Sequence, residues 1–420
     1  LNIFIMYKIN TIIFLTIILY LATSNLYSLT LDEAIKKSLL KYPGYKMRKY
    51  DVKLGELNLK LSYSKFYPYI STEITGSDRY DDLDGKTAQT TLNLNYNIFN
   101  GLKDILDVKI NKLNLRLSKF IYKDYKNFIL KEVSNIYYNA LEIKNIINSY
   151  KNIVNTSKIA LNVAKSQYKI GRIREVEYLQ AEVNYSRSQY EYNNYIQQLK
   201  NILINLSTFT GENYSIDTPL ETDFSNIELS NIGYYISKGH KNNLEVVTKR
   251  IESQISSKEI KKSYSDFSPT VDIYATKGRY YDENLRDEHY TGSQVGITTT
   301  FDLFTGFSRY YNVISEKTQY YNDLMDEKLA SLEMKEQIKT LYNNIVTYND
   351  QFYYLSNLIK YSKRNYMLTL ESFILGKSDI LELLDVRDRY EEAFIDYYTA
   401  RYNIVRDYNE LLYISGTISD

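Results

Sequence analysis

The chain carries little with which to make or break covalent bonds. It has no cysteine, which excludes thiolate nucleophiles, disulfide frameworks and sulfur-ligated metals. Its two histidines, His240 and His289, lie far apart with no carboxylate at metal-ligand spacing. Neither a zinc site nor a histidine-based catalytic centre is therefore expected, and no cofactor or enzymatic activity with it. With 52 basic and 51 acidic residues, the charge balance is unlike the basic surface of a nucleic-acid reader. What does recur at a meaningful spacing is polarity. Asn93, Asn95 and Asn97 alternate with Leu92, Leu94, Tyr96 and Ile98, while Gln294, Thr298 and Thr300 alternate with Val295, Ile297 and Thr299. A period of two puts amides and hydroxyls on one face of a strand and apolar groups on the other, a surface suited to lining water. A further polar cluster follows Gly376, where Asp379-x-x-Glu382 reads as a capping box and Asp385 lies beyond the first helical turn.

The elements that position these side chains occur twice. Ser62-Tyr63-Ser64-Lys65-Phe66-Tyr67-Pro68 returns 201 residues later as Ser263-Tyr264-Ser265-Asp266-Phe267-Ser268-Pro269. Ile98-Phe99-Asn100-Gly101 returns as Leu303-Phe304-Thr305-Gly306, and Gly171 as Gly376, both at an offset of 205. The chain divides into repeats at residues 29–227 and 228–420, joined through a polar stretch holding Gly211 and Pro219. In each repeat a helix ends at the proline and a strand pair follows, about 67–99 in the first repeat and 269–304 in the second. Turns are expected at residues 78–85 and 277–292. These four segments are long enough to cross a bilayer when tilted, although a soluble hairpin with one wet face would alternate in the same way. The start of the chain favours the membrane reading. Lys8 precedes an apolar run at residues 12–21 and then Ala22, Thr23 and Ser24, so residues 1–28 read as a secretory signal. No later run of eighteen apolar residues occurs, so any crossing must be made as a β-barrel.

Between Gly101 and Gly171, and between Gly306 and Gly376, there is no proline and no glycine. About 66 helical residues would span ~100 Å. Ile129, Val133, Ile136, Ala140, Ile143, Ile147, Tyr150, Val154, Ser157, Leu161, Ala164 and Tyr168 step by fours and threes, and the same steps recur from Met334 to Phe373. That is a heptad seam. Returning helices at about 177–206 and 380–413 make each half an antiparallel coiled-coil hairpin. Four strands cannot close a barrel, and open edges are not tolerated in lipid. Two chains would give a filled bore of eight strands; three would give twelve strands and a lumen, so a homotrimer is expected.

Taken together, these features resemble the TolC family of outer-membrane efflux and secretion proteins. The resemblance covers nearly all of the chain after residue 28. It rests on Leu29-Thr30-Leu31-Asp32-Glu33-Ala34-Ile35, on Phe-x-Pro before each strand pair, on Phe99-Asn100-Gly101 and Phe304-Thr305-Gly306, and on Gly171 and Gly376. It implies an α+β membrane fold: a trimeric twelve-stranded barrel in outer-membrane lipid, continued by a helical tunnel through the periplasm. An equatorial region would come from residues 29–42, 207–241 and the C-terminus. The implied function is a passive exit duct for efflux or type I secretion, working with a periplasmic adaptor and an inner-membrane transporter and binding no nucleic acid. A non-conducting coiled-coil scaffold is the alternative. In that family acidic rings constrict the tunnel at the hairpin turns, and Glu382 and Asp385, six and nine past Gly376, match those positions. Glu177, six past Gly171, matches an acid that holds the closed state. The family's tyrosine and arginine partners for it are replaced by Phe373 and Ser378, leaving Lys377, Arg172 or Arg174 as candidate substitutes. The turns Gly171, Arg172, Ile173 and Gly376, Lys377, Ser378 would meet the adaptor.

Overall fold

The computed structural model describes residues 28–79, 85–221, 227–283 and 289–418. The expected signal segment lies outside these residues except for Ser28. Eight α-helices, one short 3-10 turn and four strands are formed by the described residues.

Helix α1 (Leu31–Lys41) starts where the Thr30 hydroxyl accepts the Glu33 amide at 3.1 Å, with Asp32 and Glu33 in its first turn. Pro43 opens α2 (Pro43–Ser64), a position where its missing N–H costs nothing. Strands β1 (Tyr69–Arg79) and β2 (Gly85–Phe99) follow, then α3 (Lys103–Lys169) and its return α4 (Glu175–Thr210). The second repeat has α5 (Ile232–Asn242), then α6 (Leu244–Tyr264), capped by the Asn243 side chain. Strands β3 (Thr270–Asp282) and β4 (His289–Thr300) lead to α7 (Ser308–Ile374) and α8 (Ile380–Ser415). The long helices α3 and α7 have 67 residues each, as their unbroken sequence predicts. Among the described residues no helix is long and apolar enough to cross a membrane.

Contacts divide the chain into two compact units. One holds Lys46–Asp124 and His240–Met334; the other holds Tyr125–Gly239 and Lys335–Asp420 with the chain through Tyr45. Each unit takes matching parts of both sequence repeats, so the repeats describe internal symmetry and compactness follows a different division.

The first unit contains the sheet, an antiparallel meander in the order β1-β2-β3-β4. Strands β2 and β3 join the repeats from Thr87↔Asp282 to Phe99↔Val271, with an irregularity between Asn97 and Phe99. Two sequence expectations need correction. Residues 277–292 were expected as turn, yet Lys277↔Ser293 through Tyr281↔His289 are paired strand. Alternation fades there because Lys277 and Arg279 replace apolar residues on the apolar face, which hides the strand from a hydrophobic period. At the other end β4 stops at Thr300, short of the expected Phe301 and Leu303.

In the second unit, both helical hairpins share a core in which Ile146, Tyr150 and Ile153 of α3 meet Tyr366, Leu370 and Phe373 of α7 and Leu383, Tyr390 and Phe394 of α8. Beyond Glu142 the buried positions of α3 are 146, 149, 150, 153, 157, 160 and 164, which keeps Tyr150, Ser157 and Ala164 of the expected seam but puts 146, 153 and 160 where 147, 154 and 161 were expected. Ile147, Val154 and Leu161 are only half-buried. A second cluster joins Leu29, Ala34, Tyr137, Leu203, Leu206 and Tyr402. Leu29 bridges in parallel to Leu220, and the Tyr137 hydroxyl donates to the carbonyls of Leu29 (2.7 Å) and Glu221 (2.8 Å). These contacts join parts of residues 29–42 and 207–241, two of the segments expected to form an equatorial region.

Candidate functional site

Register puts the predicted polar residues on a single face of the sheet. Asn93 lies opposite Thr276, which pairs with Gln294; Asn97 lies opposite Asp272, which pairs with Thr298; Asn95 lies opposite Tyr274; and Thr300 pairs with Thr270. Side chains link across the strands. The Asn97 amide donates to Asp272 at 2.8 Å, the Thr276 hydroxyl to Asn93 Oδ1 at 3.0 Å, and Gln294 Nε2 to the Tyr274 hydroxyl at 3.1 Å. The opposite face carries Ile70, Ile74, Leu92, Val295 and Ile297, all exposed, with Ile74 at 77% and Val295 at 78%. In water such a band is unfavourable by roughly 25 cal/mol per Å², so this face requires an apolar environment. Strands β1 and β4 each pair on one side only among the described residues.

The two helix-hairpin turns share a backbone. Gly171 and Gly376 sit at φ +72° and +70°, a conformation that glycine adopts without a Cβ penalty. The amides of Arg172 and Lys377 reach back to the carbonyls of Gln167 and Ser372, both at 2.9 Å, and those of Gly171 and Gly376 to Tyr168 and Phe373. Each is a Schellman turn, satisfying carbonyls that the helix end leaves open. Ile173 packs against the helical core.

After the turn the chemistry diverges. Asp379 is the N-cap of α8 and accepts the Glu382 amide at 2.8 Å. The Glu382 carboxylate does not complete a reciprocal box; it is exposed and accepts from the Ser378 hydroxyl. Asp385 is exposed and pairs with Arg389 at 3.1 Å. In the first turn Arg174 stands at the N-cap of α4 with no capping side-chain bond. Its guanidinium reaches Glu177 Oε1 from both Nε and Nη2 at 2.9 Å. Of the three cations offered by the sequence, Arg174 is the one that engages Glu177, and it does so within its own turn.

Sequence reasoning missed a polar group on α8. Arg387 is buried, contacting Asp388 and lying 3.4 Å from Glu391. Burial pushes the Glu391 carboxyl above its usual range, and Arg387 offsets this only in part. Arg387 Nη1, Gln180 Oε1 and Asn184 Oδ1 are buried without a hydrogen-bond partner. All three residues line a groove of about 350 Å³, together with Val176, Leu179 and Val183. In sequence, Arg387 and Glu391 sit four apart on a charged helix, a pattern shared with any solvated face.

A family profile described as outer membrane efflux protein matches residues 46–212 and 236–417. The chain belongs to the outer membrane efflux protein family. No curated protein matches it, but solved structures do. The Campylobacter jejuni CmeC outer membrane channel is 15% identical with a TM-score of 0.79, over 92% of this chain and 85% of that one. VceC from Vibrio cholerae is 12% identical with a TM-score of 0.77, covering 92% and 96%. The open-state MtrE outer membrane channel of Neisseria gonorrhoeae is 12% identical with a TM-score of 0.70, covering 92% and 88%. At such identities the likeness is one of fold. As an outer membrane efflux protein the chain is placed in the outer membrane, where the apolar face of the sheet finds the solvent it needs.

Proposed function

We propose that this efflux protein is the exit duct of a tripartite efflux or type I secretion system, receiving cargo from an inner-membrane transporter through a periplasmic adaptor. The observation that carries the reading is the two-faced four-stranded sheet, both of whose edges are unpaired among the described residues. Lipid offers no water to satisfy an open strand edge, so β4 of one copy must meet β1 of another. Three copies give twelve strands around a bore that Asn93, Asn95, Asn97, Gln294, Thr298 and Thr300 would line. The turns at Gly171–Ile173 and Gly376–Ser378 are the adaptor contacts in this reading. Exposed Val176, Leu179 and Val183 on α4 and Leu381 on α8 supply apolar surface near them. Glu382 and Asp385, three of each in the trimer, form the acidic constriction and favour cations. Glu177 tethers its own turn through Arg174.

Conductance of the purified protein in planar bilayers tests this, for wild type and for Glu382→Ala/Asp385→Ala. Small cation-selective currents that lose selectivity in the double variant are expected. Unchanged selectivity would reduce the two acids to helix-end residues. Folded trimers that pass no current would favour the scaffold.

A further inference from the structure

The sheet-bearing unit contains a groove of about 570 Å³ whose lining has four cations and no acid: Lys109, Lys112 and Arg116 of α3 and Lys258 of α6, with Leu113 and Tyr320 beside them. Lys109, Lys112 and Arg116 are spaced i, i+3 and i+7, one exposed stripe on α3. Their backbones rise ~4.5 and ~6 Å between successive members, so the charge extends along the helix instead of meeting at a point.

Several acids of this unit are engaged by other cations or by polar side chains away from the groove lining. Asp107 lies 2.6 Å from Lys65 and 2.8 Å from Lys262; Asp104 also faces Lys65, and Asp266 holds Lys103. On α7, Glu327 pairs with Arg250, Asp326 with Lys249, and Asp323 accepts from Ser256 and Gln319. Among the described residues, no ion pair engages Lys109, Lys112, Arg116 or Lys258, and Lys112 is 5.8 Å from the centre of the Tyr63 ring. Four like charges around one concavity repel, and without an internal counter-charge they attract an external anion. The walls are α3, α6 and α7, which connect directly to β2, β3 and β4, so the groove is built within a single copy.

We propose that this groove binds a small organic anion with two or more phosphate or carboxylate groups, its apolar part lying against Leu113 and Tyr320. The volume is that of an ordinary small-molecule site. Arginine and lysine together suit oxyanions, the arginine by a forked contact and the lysines as point charges. The phosphate of an anionic lipid has the same chemistry. The free anion is the better source, because Lys109 is six residues into α3, ~9 Å of helix beyond its start, whereas lipid phosphates belong at the margin of the apolar band. The site does not depend on the proposed conduction.

Calorimetric titration of the full chain in neutral detergent at low salt, with pyrophosphate as probe, tests the assignment. Saturable binding is expected, at least tenfold weaker in Lys109→Gln/Arg116→Gln/Lys258→Gln and unchanged in a Lys49→Gln/Lys60→Gln control on α2. Affinity should fall as salt rises. Absence of saturable binding, or equal binding by the triple variant in protein that melts as wild type does, overturns the site. Competition by short-chain phosphatidate in the same micelles separates the sources. Displacement of pyrophosphate by phosphatidate below the concentration of pyrophosphate itself, with none by phosphatidylcholine, overturns the free-anion assignment in favour of a headgroup. No such displacement supports the free anion. Binding is read without current, so a failure to conduct leaves this result standing.

Discussion

Helices α3 and α7 have the same length, follow the same left-handed pair (Gly101–Leu102 and Gly306–Phe307) and end in the same turn at Gly171 and Gly376. Their charges do not correspond. Lys109, Lys112 and Arg116 become Ile314, Lys317 and Tyr321 at an offset of 205; Arg174 becomes Asp379, and Gln180 becomes Asp385. The first repeat thus holds most of the basic groove and a turn whose acid is neutralised. The second repeat holds a turn with one more acid and a capped helix. A duplicated backbone constrains turns and core, where a change is costly. It leaves solvent-facing positions free to diverge.

The comparison breaks most visibly at the glycines that open the long helices. Both are left-handed, but a Cβ on Gly101 would lie 2.6 Å from the Ser265 carbonyl oxygen, while Gly306 has nothing within 4 Å. Gly101→Ala should destabilise by about 2–4 kcal/mol, adding overpacking to conformational cost, and Gly306→Ala by about 1–2. Denaturant unfolding in detergent measures both, and equal losses would mean that the repeats are packed alike here.

A smaller effect is expected at Glu391. Its carboxyl is raised by burial, so between the usual glutamate range and the raised value the folded chain keeps a proton that the unfolded chain releases. Stability should therefore fall as pH rises through that window. Glu391→Gln should flatten this slope, and melting curves across mildly acidic pH will show it; an unaltered slope would assign it to another group.

At the turns, Asp379→Ala removes an N-cap and should cost about 1 kcal/mol locally. Arg174→Ala removes an exposed ion pair and should cost only about 0.3 kcal/mol. Hydrogen exchange of the first turns of α8 and α4 reads each separately. If Arg174→Ala opens its turn more than Asp379→Ala does, the first turn is the better locked of the two.

Much of this was legible in the sequence. The two 67-residue helices, the returning helices, the glycine turns and the polar face of the sheet follow from proline and glycine placement and from periods of 2 and 3.5. On α3 the heptad spacing is kept, but 146, 153 and 160 take the places expected of 147, 154 and 161, because that face packs against α7 and α8 together and not against a single partner helix. Residues 277–292 were missed because their strands leave the apolar band. Glu382 and Asp385 were singled out by the family resemblance, from their positions relative to Gly376. Arg387, Glu391 and the Lys109–Lys112–Arg116 stripe were not, since burial and unpaired charge depend on what other elements bring alongside. The stripe does have a sequence signal: three cations at i, i+3 and i+7 with no acid among them.

The pairing of β2 with β3 also sets a timetable. Thr87 cannot find Asp282 until nearly two hundred further residues have been made and delivered, so contact order is high and closure of the sheet is slow. Until then the β1–β2 hairpin waits with Ile74 and Leu92 uncovered. The helices of the first repeat, whose backbone hydrogen bonds are local, can form in the meantime, and the chain spends its most aggregation-prone interval before it reaches lipid.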